Sequence, residues 1–117
     1  MCKNDNLLIS IREVENILQE YIINNKQLRV DNRYIFIDIR EKYKYRYGHI
    51  PGAISMTEKQ VMNNVSELKK YDKVIIYCDY GNAGLKLARE LVYNYRINNV
   101  CNIVGGYNVY RGPISKG

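Results

Sequence analysis

The chain opens its patterned region with Ile11, Val14, Ile17, Leu18, Tyr21 and Ile22 at three- and four-residue intervals, separated by charged and polar positions. That spacing puts the apolar side chains on one face of a helix. Ser10 and Glu13 stand in the S-x-x-E arrangement that satisfies amide donors at a helix start. A helix over Ile11–Ile23 is therefore predicted, ending at Asn24-Asn25-Lys26, with residues 7–9 as a short strand before it.

A second pattern follows. Residues 34–39 (YIFIDI) and 74–77 (VIIY) are nearly unbroken apolar, β-branched runs, as expected of parallel strands covered on both faces. Between them, residues 53–56 read as a short strand. Thr57 and Gln60 then repeat the capping-box arrangement ahead of Val61, Val65 and Leu68. Residues 84–95 carry Leu85, Leu87, Ala88, Leu91, Val92 and Tyr95 as one buried helical face, and residues 100–104 form a last strand. Strands alternating with helices predict an α/β fold on a mainly parallel sheet of five strands. No repeat, linker or low-complexity stretch divides the chain, so residues 1–117 read as a single domain with residues 1–6 as a mobile N-terminus.

Composition narrows the class. An apolar fraction of 46% beside 26% charged residues belongs to a globular chain. No apolar run approaches the ~20 residues needed to span a bilayer. The first six residues lack the features of a secretory signal, which predicts a cytoplasmic protein. Three cysteines, Cys2, Cys78 and Cys101, show neither a disulfide framework nor a zinc-ligand spacing. The net charge of +6 raises the question of nucleic acid. The basic residues are nonetheless scattered among acidic ones, which favours a solvated basic surface. The stretch where Tyr43, Tyr45 and Tyr47 alternate with Lys44 and Arg46 reads as a solvated loop in preference to a docking surface.

In open α/β sheets, ligands collect beyond the carboxyl ends of the strands, where helix N-termini present unpaired amides. That directs attention to Cys78-Asp79-Tyr80-Gly81-Asn82-Ala83-Gly84, the segment between the 74–77 strand and the following helix. Gly81 permits a positive φ that would turn successive N–H groups toward one point. A cysteine sulfur at that point would be favoured as a thiolate, the nucleophilic form. Cys78 can equally be a small buried hydrophobe at a strand end. The residues alone leave both open. Cys101, inside a strand, reads as buried packing, and Cys2 as incidental.

Three motifs extend the reading. Asp38-Ile39-Arg40 precedes Gly48-His49-Ile50-Pro51-Gly52-Ala53-Ile54, Cys78-x-x-Gly81 follows a hydrophobic strand, and Gly105-Gly106 stands ahead of Tyr110. Across residues 10–113 the chain resembles the rhodanese family, through its DxR strand end, its GHIPGA turn, its active-site loop and its closing GG-aromatic pattern. The resemblance implies a three-layer fold, a five-stranded sheet with helices on both faces. It also implies a sulfurtransferase in which a sulfane sulfur passes from a donor to Cys78 and on to a thiol or other nucleophilic acceptor, with donor and acceptor as partners. By the same resemblance the amides of Asp79, Tyr80, Gly81, Asn82, Ala83 and Gly84 cradle the persulfide, and Asp38 and Arg40 order the loop. His49, the only histidine, falls in the turn and is expected to pack there rather than act as a base.

One departure matters. Many active members have Arg where this chain has Ala83, followed by Ser or Thr where it has Gly84, and that Arg would pair with an anionic donor. Asp79 adds a negative charge instead, so weak thiosulfate activity is expected and a protein or small persulfide is the expected donor. A related phosphatase reading needs C-x5-R, but position 84 is Gly and the first Arg after Cys78 is Arg89. The alternative of another class is a binding or regulatory module that keeps the fold without efficient chemistry. No metal or organic cofactor is expected, since one histidine and no ligand cluster leave nothing to hold it. A membrane partner is not expected either.

Overall fold

In the computed structural model the described residues are 7–23 and 33–117. Cys2, the rest of residues 1–6 and the helix end expected at Asn24-Asn25-Lys26 lie outside them. Five strands alternate with helices: β1 (Leu8–Ile9), α1 (Ile11–Ile23), β2 (Tyr34–Asp38), α2 (Lys42–Tyr47), β3 (Ile54–Ser55), α3 (Glu58–Asn63), α4 (Val65–Leu68), β4 (Lys73–Tyr77), α5 (Asn82–Tyr95) and β5 (Val100–Ile103), then a 3₁₀ turn, Gly106–Val109. The strands form one sheet in the order β1-β5-β4-β2-β3. Every pairing is parallel, as the unbroken apolar runs predicted.

The period of two along each strand divides the core between the two faces. Phe36, Ile75, Tyr77, Cys101 and Ile103 point one way and bury with Val14 and Leu18 of α1. Ile35, Ile37, Val74, Ile76 and Val100 point the other way and bury with Val61, Leu68, Leu87, Ala88 and Leu91 of α3, α4 and α5. Burying one leucine contributes about 1.5–3 kcal/mol. Leu87 and Leu91, at 2% and 0% exposure, thus seat α5 firmly against the sheet.

Local signals account for the element starts. Ser10 Oγ accepts the Glu13 amide at 3.1 Å. Thr57 and Gln60 form the complete reciprocal capping box, at 3.1 and 2.8 Å. Two elements differ from expectation. Residues 42–47 are helical rather than a loop, since Tyr45 turns inward to donate to the Ala53 carbonyl at 2.6 Å. α5 begins at Asn82 rather than Gly84, because Gly81 at φ 104° reverses the chain immediately before it.

Register sets the site. Asp38 of β2 lies opposite Tyr77 of β4, and the Ile39 amide donates to the Tyr77 carbonyl at 3.0 Å. The segments that follow β2, β4 and β5 therefore emerge at one edge of the sheet. Among the described residues no helix is long and apolar enough to cross a membrane.

Candidate active site

Cys78 follows the last residue of β4 and is 6% exposed. Its Sγ accepts two backbone hydrogen bonds, from the Gly81 amide at 3.1 Å and the Gly84 amide at 3.2 Å. The first depends on the left-handed φ of Gly81, which other residues rarely adopt. The second comes from the first turn of α5, where amides have no intrahelical acceptor and the helix dipole is positive. The sulfur thus sits in a small field of donors.

The loop is held from three sides. From β5, Asn102 Nδ2 donates to the Gly81 carbonyl at 3.0 Å, and the same carbonyl accepts the Leu85 amide at 3.1 Å. From the 3₁₀ turn, the Tyr107 amide donates to the Cys78 carbonyl at 2.8 Å and the Asn108 amide to that of Asp79 at 3.0 Å. Gly106 makes this possible, since a Cβ there would lie 2.6 Å from the Cys78 carbonyl oxygen. From α2, Lys44 Nζ donates to Asp79 Oδ2 at 3.0 Å.

Asp38 and Arg40 are joined more tightly than any other ion pair of the described residues. Arg40 Nε lies 3.1 Å from both Asp38 carboxylate oxygens and its terminal nitrogen 2.7 Å from Oδ2, with Asp38 at 0% exposure. Burial alone would lower the Arg40 pKa, but the hydrogen bonds and charge of Asp38 hold it above its usual value. These two side chains reach the loop at second hand. Arg40 donates to the Gly48 carbonyl at 2.7 Å and lies 3.9 Å from the centre of the Tyr107 ring, and Tyr107 in turn holds Cys78.

Of the six loop residues expected to face the sulfur, Gly81 and Gly84 donate to it. Asp79 turns its carboxylate to Lys44. Tyr80, Asn82 and Ala83 are exposed. His49 is buried in its turn, stacked on Tyr45 at 3.7 Å with Nδ1 donating to the Tyr45 carbonyl at 2.7 Å. Cys101 is fully buried in β5, within the core cluster that packs against α1. Sequence reasoning also missed Asn102 and Lys44. A lone Asn in the apolar run 100–104 was the available signal for the first. None existed for the second.

A model of the rhodanese-like domain family matches residues 9–112. The chain belongs to that family. The chain is also similar to the adenylyltransferase and sulfurtransferase UBA4 of Eremothecium gossypii, 30% identical over 92 residues that make up 70% of this chain and 21% of the relative. It thus spans about a fifth of the length of these curated relatives. Among solved structures, a rhodanese-related protein of Thermoplasma volcanium aligns with TM-score 0.65 and 19% identity over 93% of this chain and 97% of that one. A thiosulfate sulfurtransferase of Pseudomonas aeruginosa aligns with TM-score 0.68 and 19% identity over 94% of this chain and 20% of that one. The two structures share the rhodanese-like fold with this chain.

Proposed function

We propose that this rhodanese-like domain is a sulfurtransferase that carries sulfane sulfur as a persulfide on Cys78. The observation that supports it is the pair of amides, Gly81 and Gly84, aimed at Cys78 Sγ. A buried cysteine that served only as packing would gain nothing from two converging donors at a helix start.

In the first step the Cys78 thiolate attacks the outer sulfur of a persulfide donor. A bond forms between Cys78 Sγ and that sulfur, the donor's S–S bond breaks, and its electron pair leaves on the donor thiolate. In the second, an acceptor thiolate attacks the same sulfur and Cys78 leaves as thiolate. No external oxidant or reductant enters. The first-turn amides of the exposed residues Asn82 and Ala83 have no intrahelical acceptor and can serve the added sulfur, which projects beyond Sγ. Because Ala83 and Gly84 supply no guanidinium to a dianion, an organic persulfide is the better donor and thiosulfate a poor one.

Intact mass after exposure to each donor tests this. A gain of about 32 Da on the wild type, reversed by reductant and absent in Cys78→Ser, is expected with the organic persulfide. No adduct with either donor would favour the non-catalytic binding module. Fast labelling by thiosulfate would overturn the donor preference.

A further inference from the structure

Asp79 directly follows Cys78, so a carboxylate is carried one residue along the chain from a sulfur that must work as an anion and meet other anions. Left alone, it would repel them. It is not left alone. Lys44 Nζ reaches it at 3.0 Å from α2, an element separated from the loop by more than thirty residues of chain, and this contact holds the Lys44 pKa above its usual value. The Asp79 backbone is meanwhile fixed by Asn108, so the carboxylate cannot readily swing away with its loop.

Two neighbouring groups, Arg40 and Tyr107, do not offer Asp79 a free charge. Arg40, at the end of β2, is spent on the buried Asp38. Tyr107 of the 3₁₀ turn is a neutral phenol whose pKa burial raises further. Lys44 is thus the described cation that faces Asp79. It also lines an open cleft of about 330 Å³ with Arg40, Tyr43, Tyr47 and Tyr107. At 33% and 40% exposure the two side chains are open enough for a reactant to sense their charge.

We propose that Lys44 is a specificity-determining residue of this site: its ion pair with Asp79 cancels the charge next to Cys78 and so sets how readily anionic reactants reach the sulfur. The proposal deepens the reading of Cys78 as a sulfur carrier and rests on it for its biological meaning. The cation missing from the loop at Ala83 is replaced, in part, by one from α2. Lys44 neutralises the loop without making it positive, which suits neutral and singly charged sulfur donors over dianions.

The test compares alkylation of Cys78 by iodoacetate, an anion, with alkylation by neutral iodoacetamide, at low salt. Lys44→Met lowers the iodoacetate-to-iodoacetamide rate ratio about threefold, Asp79→Asn raises it by a similar factor, and the double variant returns near the wild-type ratio. Lys44→Arg keeps the wild-type ratio. A merely structural role for Lys44 would change both rates together and leave the ratio alone. An unchanged ratio in Lys44→Met overturns the proposal. If that variant fails to fold, an unchanged ratio in Asp79→Asn does so. The ratio reads charge at Cys78 whether or not it carries sulfur, so ratios that move as expected beside an absent persulfide mass would sink the sulfur-carrier reading alone.

Discussion

A Cβ on Gly84 would stand 2.0 Å from Asn102 Oδ1, so the helix start that donates to Cys78 can approach β5 only without a side chain. Asn102 is 1% exposed and its amide is anchored on the Gly81 carbonyl, which leaves it little freedom to yield. Gly84→Ala therefore costs about 1–3 kcal/mol in urea unfolding and slows Cys78 alkylation as the Gly84 amide is pushed off the sulfur. Adding Asn102→Ala opens the space, and the double variant is more stable than the sum of the single changes predicts. Additive effects would show that the two residues do not meet as described.

The Asp38–Arg40 pair is expected to matter for stability where the surface pairs do not. Removing a buried ion's partner leaves an uncompensated charge, so Arg40→Met costs about 3–5 kcal/mol. Lys70 and Glu67 form a pair of similar length, 2.9 Å, but at 64% and 65% exposure. Lys70→Met shifts stability by less than about 0.5 kcal/mol. Equilibrium unfolding of both variants checks the contrast.

Alkaline stability should follow the buried phenols. Burial, and next the charge of Asp38, raise the Tyr77 pKa far above its ordinary 10.0, and burial raises that of Tyr110 as well. The folded state therefore holds these protons more tightly than the unfolded chain. Their contribution is complete below pH about 10 and falls as pH rises above it, by up to about 1.4 kcal/mol per pH unit for each phenol. Urea midpoints measured across this range, with tyrosinate absorbance followed in parallel, should show part of the tyrosine ionisation arriving only with unfolding. Tyr77→Phe should flatten the decline, and also lower stability at neutral pH by about 1–3 kcal/mol, since the Ile50 amide loses its acceptor.

The sequence by itself determined the elements and the strand-to-helix turn that holds Cys78. The helix over Ile11–Ile23, the two long strands and the capping box at Thr57 were all legible, because each depends on apolar spacing or hydrogen bonds within a few residues of chain. Cys78 and Gly81 were legible for the same reason, as a turn between a strand and a helix. Helix α2 was not, since alternating Lys and Tyr carry no helical stripe and Tyr45 finds its acceptor at Ala53 only in the folded chain. Tertiary structure alone decided what surrounds the sulfur. The bond from Asn102 to Gly81 spans 21 residues and that from Lys44 to Asp79 spans 35. Such contacts depend on β5 lying beside β4 and on α2 returning over the strand ends, and no local periodicity encodes which distant side chains that packing brings within 3 Å.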